Sequence, residues 1–403
     1  MTEPEELVEG DLVEVTVGPP AHGGHCVARI GGPHGQVVFV RHALPGERVT
    51  VAVTERHRGY LRGDAIAIHS AVADRVAPPC PYAHPGGCGG CDLQHVADGA
   101  QLSWKAAVVR EQLARPGGLT PGEIDDLGVR VERLPGGTLG WRSRIRYAVD
   151  AAGRPGLLQH RSHQVVPVQR CRIAHPALQE LDVLRRRWPG EDAVEVVASS
   201  GGDVSVVTGG TVCSGRAEVV ELAAGRRWRV PAGGFWQVHR AAADALVAAV
   251  LDLLEPAAGE RAWDLYGGSG LFAAALAGRT GAPVTVVESD PAGVAAARTN
   301  LADLSGIEVV AARVEVALPR RRITGPVDLV VLDPPRTGAG TRVVDGIVAA
   351  GPRAVAYVAC DPAAMARDVA AFRAAGWRLA AVRAFDLFPM TQHVECVAAF
   401  TRQ

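Results

Sequence analysis

Between residues 8 and 70, short apolar runs alternate with polar positions and are cut by glycine and proline turns. The runs Leu12–Val17, Gln36–Val40, Arg48–Val53 and Asp64–Ile68 are separated by turns such as Gly31-Gly32-Pro33 and Leu44-Pro45-Gly46. Short strands with regular turn signals predict a small β-barrel. Pro78-Pro79 ends this unit. Residues 93–114 carry apolar positions at Leu102, Ala106, Val109 and Leu113, a helical spacing that Pro116-Gly117-Gly118 closes. Strand-like stretches return over Arg142–Val149 and Val194–Val207. After Pro231 the pattern changes. Helices are predicted at 238–254, 270–277, 292–303 and 363–375. Strands are predicted at 261–266, 283–288, 308–313, 327–332, 354–359, 378–384 and 393–400. Strands alternating with helices imply an open α/β sheet with its chemistry at the strand carboxyl ends. The organisation expected is a barrel at 1–75, a β-rich central domain at 76–230 with its helix against the catalytic unit, and an α/β domain at 231–403.

Composition narrows the class. Of 403 residues, 48% are hydrophobic and 21% charged, which excludes a mostly disordered chain. No apolar run is long enough for a membrane span, and the acidic stretch Met1–Glu9 is no signal peptide. A cytoplasmic protein with no membrane partner is expected. The net charge of −1 does not announce a nucleic-acid binder, so any basic surface is local. Lys105 is the only lysine among 42 basic residues.

Asp264-Leu265-Tyr266-Gly267-Gly268-Ser269-Gly270-Leu271-Phe272 joins a strand to a helix, and its glycines let a ligand approach the backbone. Glu288 ends the next strand, where a carboxylate can bind two ribose hydroxyls. Gly268-x-Gly270-x-x-Ala273 with Glu288 also fits a dinucleotide fingerprint. Asp264, three residues before the glycines, resembles the acid that methyltransferases commonly place near the methionine end of S-adenosylmethionine. Further on, one apolar strand ends in Asp333-Pro334-Pro335-Arg336 and the next in Cys360-Asp361-Pro362. Cys360 therefore sits at a helix start, where the helix dipole is expected to favour thiolate. Glu395 opens the last strand, and Cys396 on its opposite face reads as core. A thiolate, a carboxylate and a sulfonium methyl donor together suit one reaction. Thiolate addition to C6 of uracil makes C5 nucleophilic, and a base then removes the C5 proton.

Two further groups stand out. Cys80, Cys88, Cys91 and Cys171 supply four thiolates, suited to iron–sulfur or zinc. From Trp141 to Arg172 there are seven arginines and one acid, Asp150. Arg142, Arg144 and Arg146 alternate on one strand face, with Trp141 and Tyr147 nearby, and suit phosphates and stacked bases. The barrel loop Arg56-His57-Arg58-Gly59-Tyr60-Leu61-Arg62 is a second basic–aromatic stretch.

The sequence resembles the RNA uracil-C5 methyltransferases, in the branch with an N-terminal TRAM barrel and an iron–sulfur cluster. The resemblance covers nearly the whole chain. Its most specific pieces are Phe235–His239, Asp264–Phe272, Asp333–Arg336, Tyr357–Asp368 and Phe388–Glu395. It implies a Rossmann-like S-adenosylmethionine methyltransferase domain, an OB-like TRAM barrel and a β-rich central domain. It makes Cys360 the nucleophile and Glu395 the base, and gives Gln237, Tyr266, Glu288 and Asp333 to the cofactor and target-base pocket. It favours a [4Fe–4S] cluster on Cys80, Cys88, Cys91 and Cys171, and ribosomal over transfer RNA as substrate for a monomeric enzyme. This chain departs from the family at His239, Asp361 and Met390, where Asn, Asn and His are common. It departs also at Gly267, Leu271 and Arg313. The alternatives are a nicotinamide-dependent oxidoreductase on the same loop and a non-catalytic RNA-binding protein. The first leaves Cys360, Glu395 and the cysteine group unexplained.

Overall fold

The computed structural model describes residues 7–402. Five strands form a closed barrel: β1 (Leu12–Ala21), β2 (His25–Ile30), β3 (Gln36–Arg41), β4 (Arg48–Arg56) and β5 (Tyr60–Ser70), in the order β1-β2-β3-β5-β4. Strand β2 has no counterpart among the sequence-predicted runs. Alternate residues such as Val15, Val17, Val38, Val40, Val49 and Val51 point inward and fill the barrel.

Helix α1 (Asp98–Ala114) starts later than residue 93 because the segment before it is committed elsewhere. Leu93 N–H donates to Met390 O at 2.9 Å, and Ala97 N–H to Asp74 O at 2.8 Å. Helix α2 (Pro121–Asp126) opens with a capping box between Thr120 and Glu123. Strand β6 (Val131–Arg133) then pairs with the far edge of the C-terminal sheet. Residues numerically central thus pack with the catalytic unit.

The central sheet has the order β12-β11-β10-β7-β8-β9. Its strands are β7 (Arg144–Val149), β8 (Pro155–Leu158), β9 (Val165–Val166), β10 (Ala193–Ala198), β11 (Val204–Thr208) and β12 (Thr211–Ser214), with the short helix α3 (Pro176–Gln179) beside it. The stretch 194–207 is therefore two antiparallel strands, not one. A hairpin, β13 (Glu218–Ala223) and β14 (Arg226–Pro231), leads to α4 (Ala242–Leu254). That helix begins four residues later than predicted, because Ser143 N–H takes the Val238 carbonyl at 2.8 Å and ties the segment before the helix to the central domain.

The C-terminal sheet follows. Its elements are β15 (Ala262–Leu265), α5 (Leu271–Thr280), β16 (Val284–Glu288), α6 (Pro291–Asn300), β17 (Ile307–Ala311), α7 (Val314–Ala317) and β18 (Leu329–Leu332). They continue with α8 (Thr341–Ala350), β19 (Ala354–Ala359), α9 (Pro362–Ala374), β20 (Trp377–Asp386) and β21 (Glu395–Arg402). The sheet order is β17-β16-β15-β18-β19-β21-β20-β6. Strands β15 to β19 are parallel, and β21 inserts antiparallel between β19 and β20. Helices cover both faces, so strands such as β18 and β19 are buried end to end and read as continuous apolar runs. The chain reverses its winding between β15 and β18, which opens a crevice at their carboxyl ends. Helix α8, absent from the sequence expectations, packs Val343, Val344 and Ile347 into this core. Among the described residues, no helix is long and apolar enough to cross a membrane.

Candidate active site and cysteine cavity

The crevice is a cavity of about 610 Å³, and it gathers residues from seven separated stretches. Gln237, Tyr266, Glu288, Asp333, Cys360 and Glu395 all line it, so every site residue drawn from the C-terminal half meets in one place. The glycine loop is tight for identifiable reasons. A Cβ on Gly267 would lie 2.5 Å from Val286 Cγ1, and one on Gly270, at φ +91°, 2.6 Å from Leu301 Cδ1. Tyr266 adopts a left-handed φ of +62°, a strain held by the strand before it and the loop after it.

Two carboxylates organise this loop. Asp264 Oδ2 accepts from Ala273 N–H at 2.8 Å, tying strand to helix. Its Oδ1 is buried without a partner, and burial pushes the carboxyl up to about 7. Glu288 Oε2 accepts from Gly268 N–H at 2.8 Å, and Oε1 from Asp290 N–H at 2.6 Å. The end of β16 is thereby clasped to the glycine loop.

Across the cavity, Glu395 is 3% exposed. Burial drives its carboxyl well above the ordinary range, Asp333 pushes it further, and Arg336 opposes them. Burial also raises Asp333. Two neighbouring buried carboxyls cannot both ionise cheaply, so this pair holds a proton near neutral pH. Cys360 differs from the sequence expectation. Burial first, then Glu395 and Asp333, push its thiol up to about 11. The helix effect is weak because Cys360 precedes the N-cap: Asp361 caps α9, accepting from Ala364 N–H at 2.8 Å. Arg336 lines the same cavity with no ion-pair partner among the described residues. Sequence reasoning left it out of the site, although its place after Asp333-Pro334-Pro335 was the available signal.

The arginine strand is partly structural. Arg144 reaches the buried Glu221 at 3.0 Å and donates to Ala232 O and Gly234 O at 3.1 and 3.0 Å. It holds the loop that presents Phe235 and Gln237. Arg146 pairs with Glu195 at 2.6 Å. Arg142 has no ion-pair partner among the described residues and borders both the crevice and a second cavity.

That second cavity, about 550 Å³, is lined by Cys80, Cys88, Cys91 and Cys171. All four sequence-predicted thiols therefore face one space, the distant Cys171 included. Among the described residues, no three His, Cys, Asp or Glu side chains converge closely enough to hold a metal ion. Burial pushes Cys88 up to about 11 and raises Cys91 and Cys171 as well. The loop between Cys88 and Cys91 requires its glycines: a Cβ on Gly89 would meet His160 N at 2.5 Å. The segment after Cys91 is tied to the one before Glu395, since Asp92 Oδ2 accepts from Gln392 N–H at 3.1 Å.

Together, the reversed parallel sheet and its lined crevice define the class of α/β methyltransferases, here carrying an N-terminal barrel. Comparison with known proteins narrows this. Residues 6–66 match the TRAM domain, residues 223–352 match "Conserved hypothetical protein 95", and residues 324–403 match tRNA (Uracil-5-)-methyltransferase. An uncharacterized RNA methyltransferase of Streptomyces avermitilis is 49% identical, covering 96% of this chain and 98% of its own length. The 23S rRNA (uracil(1939)-C(5))-methyltransferase RlmD of Thiobacillus denitrificans is 32% identical, covering 94% of this chain and 98% of its own. In fold, the chain is similar to the Pyrococcus abyssi tRNA (uracil-54, C5)-methyltransferase in complex with S-adenosyl-L-homocysteine. The TM-score is 0.70 at 21% identity, over 96% of this chain and 99% of that one. The chain belongs to the RNA uracil-C5 methyltransferase family. It is an RNA methyltransferase, which removes the nicotinamide and non-catalytic alternatives.

Proposed function

We propose that the protein methylates C5 of a uridine in ribosomal RNA through a covalent Cys360–C6 intermediate. The observation that carries this reading is that Cys360 and Glu395 line one cavity with the glycine loop. S-adenosylmethionine, when bound, supplies an electrophilic methyl on its sulfonium. Tyr266, Glu288 and the glycine loop hold its nucleoside and amino-acid parts, while Gln237 and Asp333 face the target base. The base is flipped out of its stack to reach the crevice. Cys360 Sγ, once deprotonated, adds to C6, and the electron pair moves onto the C4 carbonyl as an enolate. The enolate pushes C5 onto the methyl. Glu395 then takes the C5 proton, and the C6–S bond breaks to return the thiolate. Burial makes the Glu395 carboxylate more basic, and in its ionised form it takes the C5 proton.

Barrel (1–75) and central domain (76–230) grip the RNA, and the α/β domain (231–403) does the chemistry. Cys80, Cys88, Cys91 and Cys171 hold a [4Fe–4S] cluster with a structural role. Four thiols around one cavity are a donor set that suits an iron–sulfur group. The near-full-length match to a 23S rRNA enzyme favours ribosomal over transfer RNA. The protein acts as a cytoplasmic monomer.

Mass spectrometry of ribosomal and transfer RNA from a deletion strain tests the reading. One 5-methyluridine should vanish from large-subunit RNA and return with the wild-type gene, but not with Cys360→Ala. Loss from transfer RNA alone would overturn the substrate. Restoration by Cys360→Ala would overturn the mechanism.

A further inference from the structure

The loop between β1 and β2 of the barrel brings His22 to Asp361, the residue beside Cys360. His22 Nε2 lies 3.0 Å from Asp361 Oδ2, across 339 positions of sequence. The carboxylate divides its two oxygens. Oδ1 accepts from Ala364 N–H at 2.8 Å and caps α9, while Oδ2 faces the barrel. The pair is partly exposed, with side chains 33% and 25% accessible, so it adds little to stability. Its place is more informative than its strength. The carboxylate it engages stands next to the thiol that must ionise, in a cavity already crowded with Glu395 and Asp333.

We propose that His22 is a positioning residue for Cys360: by hydrogen-bonding to Asp361 it fixes the start of α9 and, with it, the carboxylate beside the thiol. The barrel thereby supports the chemistry as well as the RNA. This rests on Cys360 being the nucleophile. The other charged groups facing Cys360 are Glu395, Asp333 and Arg336, and those facing Asp361 include His393. Glu395, Asp333, Arg336 and His393 stay in place in every variant below, so a change reports the His22–Asp361 pair.

The readout is the pH profile of Cys360 alkylation by iodoacetamide in the full chain, followed on the Cys360 peptide by mass spectrometry. It requires no RNA and no methyl transfer. Loss of His22 removes a hydrogen bond from Asp361 and frees the carboxylate beside the thiol, so His22→Ala should move the profile to higher pH by about half a unit. His22→Gln, which can still donate a hydrogen bond to Asp361, should give a smaller shift in the same direction. Asp361→Asn preserves the helix cap, because asparagine caps as well as aspartate. In that background, His22→Ala should have no effect. Identical profiles for wild type and His22→Ala would overturn the proposal. An equal shift in the Asp361→Asn background would also overturn it, since His22 would then act by another route. These outcomes stand apart from the methylation test: Cys360→Ala that still methylates would remove the nucleophile assignment, whatever the alkylation profile shows.

Discussion

Lys105 on α1 donates to Asp386 at the end of β20 at 2.5 Å, and both side chains are completely buried. The ammonium also donates to Phe388 O at 3.0 Å. It therefore ties the helix that follows the barrel to the loop that leads into Glu395. A compact ammonium can sit here, whereas a guanidinium fork needs more room. That explains one lysine in a chain that otherwise uses arginine.

Replacing Lys105 by Met should cost about 3–5 kcal/mol, because it leaves Asp386 as an unpaired buried charge. Adding Asp386→Leu should recover most of that loss. Urea unfolding of the single and double variants measures both. A double variant as unstable as the single one would show that packing, not charge, governs the site.

Glu395→Gln keeps the shape of the side chain and removes its basicity. The variant should form the thioether, take the methyl and then stall as a protein–RNA adduct through Cys360 that survives denaturing electrophoresis. Cys360→Ala should form no adduct while binding S-adenosylmethionine normally. Near wild-type turnover by Glu395→Gln would remove the base assignment and point to Asp333.

The three strand arginines should separate. Arg142→Ala and Arg146→Ala should weaken RNA binding, each lost phosphate contact lowering the salt slope by about 0.7 on a single strand. Arg144→Ala should instead destabilise the fold by about 3 kcal/mol, because Glu221 is left buried and unpaired. It should also weaken cofactor binding through the loop at Gly234. Filter binding across a salt series, with calorimetry for the cofactor, distinguishes the two patterns.

Acid should loosen the barrel. Burial, aided by Arg41, pushes His25 and His42 down to about 3 and His160 to about 4. Burial and Arg75 take His95 to about 4. These histidines fold neutral but protonate when unfolded. Their contribution is present above pH 6.5 and is lost as the pH falls from 6.5 towards 4. Each adds at most about 1.4 kcal/mol per pH unit to the slope. Urea midpoints should drop steeply between pH 6.5 and 4.5, and His25→Gln should flatten the fall. A flat profile in the wild type would contradict this account.

Anaerobically purified protein should contain iron and sulfide and absorb broadly near about 400 nm. Removing the group should cost folding, because it links Cys171 to a segment some eighty residues earlier. Stoichiometric zinc without sulfide would overturn the cluster.

What the sequence determined by itself was local or periodic. Alternating strands with glycine turns specified the barrel, and apolar runs broken by Gly267–Gly270, Asp333-Pro334-Pro335 and Cys360-Asp361-Pro362 specified the parallel sheet and its chemical edge. Strand polarity alone sends those loop ends to one side, so Tyr266, Glu288, Asp333 and Cys360 were legible together. Tertiary structure decided what depends on partners distant in sequence. The start of α1 was set by Met390 and Asp74 competing for backbone groups, which no helical spacing reports. Strand β6 joined the C-terminal sheet because a free edge of β20 awaited pairing. Arg144 turned inward because Glu221 lay buried opposite it, although its alternation with Arg142 and Arg146 is unchanged. The acidity of Cys360 likewise followed burial beside Glu395 and Asp333, since desolvation is a property of the assembled cavity and outweighs the helix start.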